Sequence, residues 1–109
     1  MMDFEELKKF VEMENKRLRE KYGNYGDEEK RILARAVKLS EEIGELCSEI
    51  LSMNSFQRKE KLDLHNKESL SNEFADVIIT TLLLAKSTDV DIEKSLENKI
   101  EKINQRYKK

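Results

Sequence analysis

From residue 32 onward, apolar side chains recur in alternating steps of four and three: Ile32, Ala36, Leu39, Ile43, Leu46, Ile50 and Met53. That spacing keeps one row on one face of an α-helix and predicts a long helix from about residue 27 to 54. A row sustained in this way packs lengthwise against another helix. A shorter pattern, Phe4, Leu7, Val11 and Leu18, predicts a first helix over residues 3–22. Asp3 and Glu6 at its start have the spacing of a capping box. Between the two, YGNYGD at 22–27 reads as a turn with Asp27 as the next N-cap.

Periodicity is lost over residues 54–68, NSFQRKEKLDLHNKE, which therefore read as a long connection. Ser69 or Ser71 then caps a third helix running to about residue 86. Leu70, Phe74, Val77, Thr81 and Leu84 form its seam, and Ile78, Leu82 and Ala85 widen it until the helix is apolar nearly all round. Such a helix is expected to be central, covered by its own chain and by another subunit. STDVD at 87–91 is a turn ending in a cap at Asp89 or Asp91. A fourth helix follows with Ile92, Leu96, Ile100, Ile103 and Tyr107 inward. The expected fold is all-α, a four-helix antiparallel bundle protomer.

Composition sharpens this picture. With 109 residues, 38% hydrophobic and 40% charged, the chain makes one domain, residues 1–109, with a thin core. That favours a bundle completed by a second subunit, a homodimer at least and a homotetramer by extension. Pro is absent and Gly occurs three times, so turns are few and helices long. A net charge of −2 gives no polyanion-coating surface, and binding to a nucleic acid polymer is not expected. Cys47 is the single cysteine, which excludes an intramolecular disulfide and points to a reducing, cytoplasmic setting. Its place beside Leu46 reads as a small buried hydrophobe. The start MMDFEELKKF carries acids where a signal peptide needs an apolar run. The longest apolar stretch, residues 77–85, includes two threonines and falls far short of the ~20 residues a bilayer requires.

The candidate chemistry lies beside the seams. With Leu39 and Leu46 at heptad position d and Ile43 at a, Glu42 falls at g and Glu45 at c. With Phe74 at a and Val77 at d, Glu73 falls at g and Asp76 at c. Acids three apart share a helix face, so antiparallel packing of the two helices brings four carboxylates into one pocket. Like charges held together either protonate or gather a divalent cation. An oxygen set without His or Cys favours Mg²⁺ or Mn²⁺ over zinc. Asp76 runs directly into the uncharged VIIT, and Gly44 interrupts a helix interior at a cost of about 1 kcal/mol against Ala. Both features suit a built site better than a solvated face, Gly44 by letting a neighbouring backbone come close.

EEIGEL, followed by NEFADVIITTLLLA in the next long helix, resembles the MazG-like all-α nucleotide pyrophosphohydrolases. Their signature, EExxE, a spacer and then ExxD, reads here as Glu41, Glu42 and Glu45, then Glu73 and Asp76. The likeness extends over about residues 27–107. It implies Mg²⁺-dependent cleavage of a nucleoside triphosphate between the α- and β-phosphates, giving monophosphate and pyrophosphate. By position, Glu42, Glu45, Glu73 and Asp76 would be metal ligands. Glu41 would serve a second metal or position the attacking water, so Glu41, Glu42 and Glu45 form the catalytic set. The family's fourth helix carries a pattern similar to K-x-x-x-N, with an Arg and an aromatic further on. Lys99, Arg106 and Tyr107 fit it as substrate-binding residues. Ile103 stands where the Asn is expected, and Asn104 is one residue late, a turn of about 100° around the helix. Arg58, Lys59, Lys61 and Lys67 are further cations for phosphate, and Tyr22 and Tyr25 are candidates to stack on a base.

Three other readings compete. A phosphoribosyl-ATP pyrophosphatase has a similar fold and breaks the same bond. A helical adaptor with incidental acids would not respond to Mg²⁺. A di-iron or di-manganese bundle needs Glu-x-x-His on two helices, and His65, the lone histidine, falls in the expected connection.

Overall fold

The computed structural model describes residues 1–21, 28–53 and 64–108, with the side chains of 64–66 left out. Four helices follow one another: α1 (Phe4–Lys21), α2 (Glu28–Met53), α3 (Leu64–Ser87) and α4 (Ile92–Gln105). The described residues contain no strand, as an all-α chain requires. Asp3 caps α1, its carboxylate accepting from the Glu6 amide at 2.9 Å. Asp91 caps α4 in the same way, accepting from the Lys94 amide at 3.1 Å. These bonds satisfy amides that a helix start would otherwise leave unpaired. The other candidate cap, Asp89, has a different task. It takes a left-handed φ of 57° and closes α3. There the Val90 amide reaches back to Ala85 O at 3.0 Å and the Asp89 amide to Lys86 O at 3.3 Å. This is a Schellman ending, with Asp standing where Gly is usual.

The start of α3 differs from expectation. The helix begins at Leu64, so the last residues of the expected connection are helical. Loss of apolar rhythm is not loss of helix propensity, and LHNKES holds neither Pro nor Gly. Ser69 is therefore interior. Its hydroxyl crosses to α2 and donates to Glu49 Oε1 at 2.7 Å. The expected turn at 22–27 with its Asp27 cap, Tyr22, Tyr25, Arg58, Lys59, Lys61 and the His65 side chain lie outside the described residues.

Helices α2 and α3 form the main antiparallel pair, and α1 packs across α3. The core gathers there: Val11 of α1 against Leu82 and Leu83, surrounded by Leu7, Phe10, Leu18, Ile79 and Ile92. The contact between α2 and α3 is rotated from the expected seam. Leu39 and Leu46 at d are half-buried, but Ile43 at a is 44% exposed while its neighbour Glu42 at g is only 6% exposed. On α3 likewise, Phe74 at a is exposed and Glu73 at g is half-buried. The a row thus turns outward, and the acids move into the contact. Helix α4 also departs from expectation. Ile92 joins the core, whereas Leu96, Ile100, Ile103 and Tyr107 are exposed. Cys47 is exposed as well, not buried. No helix among the described residues is long and apolar enough to cross a membrane.

Candidate metal centre and adjoining cleft

Because the g positions of α2 and α3 meet in the contact, Glu42, Glu73 and Asp76 converge. One carboxylate oxygen from each lies within 4.8 Å of the others. Glu42 and Glu73 each keep one oxygen, Oε2, buried and without a hydrogen-bond partner among the described residues. A buried carboxylate oxygen with no donor is costly. The partial compensation is Lys38, one helical turn before Glu42, whose ammonium stands 3.2 Å from Glu42 Oε1. Lys38 is itself more than half exposed, so solvent screens much of that pairing. Two orphaned oxygens beside a third acid, with no nitrogen or sulfur donor in the group, fit a hard divalent cation.

Burial first, and then the charges of Glu45, Asp76 and Glu42, raise the pKa of Glu73 above the usual carboxylate value. Glu45 also stands close enough to share a proton with it. A carboxyl whose pKa rises on folding favours the fold while protonated, and that contribution is lost as pH rises through the raised value. In chelator, the urea midpoint of Glu73→Gln should therefore gain on that of the parent chain as pH climbs from 4 to 7. A constant difference, or one that shrinks, would show that Glu73 is not held among like charges.

The remaining sequence-predicted acids are placed differently. Glu45 is exposed and, with Glu41, Gly44, Ser48, Glu49 and Glu73, lines an open hollow beside the three converging acids. Glu41 reaches toward Lys38 at 3.9 Å. No neighbouring atom lies within 4 Å of where a Cβ on Gly44 would stand. The close backbone approach expected at that glycine is thus absent among the described residues. Lys99 is exposed on α4, Arg106 and Tyr107 are exposed just past its end, and Lys67 is exposed near the start of α3.

On the other side of Glu42 and Asp76 opens a cleft of about 480 Å³ between α1, α2 and α3. Its floor is apolar, with Leu18, Ala34, Ile79 and Leu83, and four cations face it: Arg19, Arg31, Arg35 and Lys38. None of Lys99, Arg106 and Tyr107 lines it. Arg35 is buried. Its Nη1 donates to Leu83 O at 3.1 Å and to the Ser87 hydroxyl, fixing the guanidinium at the cleft wall. Burial, and after it the charges of Arg31 and Arg19, lowers its pKa. Sequence reasoning missed these cations although α2 carries a legible signal. Arg31, Arg35, Lys38 and Glu42 follow steps of four, three and four, the same rhythm as the apolar row. Arg19 comes from another helix and has no such signal.

The profile of the MazG nucleotide pyrophosphohydrolase domain matches residues 30–109. A protein of Bacillus subtilis (strain 168), "Uncharacterized protein YpjD", is 32% identical over 76 residues, covering 70% of this chain and 67% of its own. No solved structure gives a significant match. The matched span contains α2 almost entire, α3 and α4, and with them every acid of the cluster. The chain belongs to the MazG nucleotide pyrophosphohydrolase domain family.

Proposed function

We propose that the chain hydrolyses nucleoside triphosphates, ribo or deoxy, between the α- and β-phosphates, releasing monophosphate and pyrophosphate in the manner of a nucleotide-pool housecleaning enzyme. The observation that carries this reading is the pairing of two sites across Glu42 and Asp76. On one side are carboxylate oxygens with no protein partner, and on the other is a cleft walled by four cations. Glu42, Glu73 and Asp76 would hold Mg²⁺ or Mn²⁺, with Glu45 completing the set from the open hollow. Bound there, the cation would supply charge for the phosphate oxygens and a lowered pKa for a water.

The chain's own groups do the rest. Arg31, Arg35 and Lys38 face the cleft as donors for a polyphosphate tail, and charge-assisted bonds of this kind are the strong ones. Lys38 also holds Glu42 in place, so phosphate and carboxylate share one cation. Glu41 and Glu45, which line the open hollow, would take a proton from an attacking water. Lys99, Arg106 and Tyr107 stay in the proposal as substrate contacts made from α4. A homodimer or homotetramer in a reducing cytoplasm completes the reading.

The test is incubation with Mg²⁺ and a panel of standard, deoxy and oxidised triphosphates, with monophosphate, pyrophosphate and orthophosphate quantified. Monophosphate and pyrophosphate in equal amounts are expected, with no activity in chelator. Orthophosphate release would mean a different bond is cut. No turnover of any triphosphate would favour the adaptor.

A further inference from the structure

The cleft between α1, α2 and α3 carries two polar side chains that neither the cation site nor the phosphate contacts use: Glu14 of α1 and Thr80 of α3. Glu14 is half-buried, and Arg17 engages only one of its oxygens. The Arg17 Nε donates to Glu14 Oε1 at 2.9 Å, and Nη2 stands 2.9 Å from the same atom. Oε2 has no bond to any described residue. Thr80 differs from the other hydroxyls near the end of α3. Thr81, Ser87 and Thr88 turn theirs back to carbonyls of their own helix, at 2.7 Å to Val77 O, 3.0 Å to Leu83 O and 3.0 Å to Leu84 O. Thr80, also half-buried, makes no such bond among the described residues and lines the cleft.

A carboxylate is out of place beside phosphate. The cations of the cleft can donate to a polyphosphate tail, whereas Glu14 would repel it and can only accept. Its ligand is therefore the uncharged half of the nucleotide. Leu18 follows Glu14 by four residues and Leu83 follows Thr80 by three, so each polar group shares a helix face with an apolar one. Those two leucines, with Ile79, belong to the apolar floor. A planar base seated on that floor buries its ring and turns its polar edge to Glu14 and Thr80. A sugar, polar all round, would gain little there.

We propose that Glu14 and Thr80 read the base edge of the triphosphate and select bases with an exocyclic amino group over their oxo counterparts. Glu14 Oε2 accepts from the amino N–H, and the Thr80 hydroxyl donates to the neighbouring ring nitrogen. An oxo base reverses both groups. Thr80 can adapt, because a hydroxyl also accepts, but Glu14 cannot, so discrimination falls mainly on Glu14. The inference rests on the hydrolysis proposed above and adds the base to it. The family match begins at residue 30, which leaves Glu14 outside it, on a helix through which this chain can set its own preference.

The test compares kcat/KM for CTP against UTP and for ATP against ITP with Mg²⁺, two pairs that exchange an amino group for an oxo group. The amino member should be favoured by about tenfold or more, the worth of one hydrogen bond to a charged group. Glu14→Gln, which can donate as well as accept, should bring both ratios close to one, and Thr80→Val should lower them by less. Equal values within each pair for the parent chain would leave hydrolysis standing and overturn this assignment. So would ratios unchanged in Glu14→Gln, or a ribo-to-deoxy ratio that moves there while the base ratios do not. No turnover of any of the four would overturn the hydrolysis and the base reading together. The parent's ratios decide the matter even if a variant does not fold.

Discussion

Replacing Glu42 with Gln should abolish divalent-cation-dependent hydrolysis and, in chelator, make the protein more stable rather than less. The two effects have one cause. Glu42 is 6% exposed, keeps an oxygen without a partner and lies within 4.8 Å of two other acids. Without a cation, that charge is a liability, and an amide of the same shape removes it. With a cation, the same charge is the binding energy. Losses for groups supporting a metal run to about 10–100-fold, and a direct ligand should lose at least about 100-fold. Thermal denaturation separates this from simple damage. In the parent chain, Mg²⁺ at a hundredfold excess over its Kd should add about 2.7 kcal/mol, raising Tm. In Glu42→Gln that rise should vanish while the metal-free Tm goes up. Glu97→Gln, on exposed α4, should change neither quantity. If Mg²⁺ still raises the Tm of Glu42→Gln as in the parent, the ligand assignment fails. If the metal-free Tm falls, the acids are not in conflict.

Much of this arrangement was legible before any coordinates, and the exceptions have physical causes. The caps at Asp3 and Asp91 were readable because capping is local, set by one side chain and an amide three residues on. The acids could be grouped because c and g positions flank a heptad seam whatever its partner. What periodicity could not decide was which row enters the contact. Ile43 and Glu42 are adjacent, and a broad apolar stripe fits a partner on either flank. The chain places the acid inward and leaves Ile43 exposed. The same limit explains α4. Its apolar stripe is real, but nothing among the described residues covers Leu96, Ile100 and Ile103. Ser69 misled for another reason: α3 already begins at Leu64, so Ser69 is interior and its hydroxyl bonds Glu49 across the helix pair. The cleft cations were hidden by abundance, since 21 Lys and Arg residues make any one of them look like surface.

Those cations carry the second large effect. Arg31→Ala should raise KM for a nucleoside triphosphate by about 10–100-fold with kcat changed far less, as expected for losing one charge-assisted bond worth about 1.5–3 kcal/mol. Arg31 is the informative choice because it lines the cleft without the structural bonds of Arg35 or the Glu42 pairing of Lys38. The fold should therefore survive its loss, and circular dichroism against the parent checks this. Lys99→Ala and Arg106→Ala provide the contrast, since both cations are exposed, one on α4 and one at its C-terminal cap, and neither lines the cleft. If the phosphate tail lies in the cleft, Arg31→Ala should move KM more than either of them. Raising the salt concentration should weaken substrate binding in the parent more steeply than in Arg31→Ala, because one screened contact has been removed. The reverse ranking, with the α4 variants moving KM and Arg31→Ala silent, would transfer the phosphates to α4. Because α4's cations do not line the cleft of their own chain, that outcome would require them to act from a second copy.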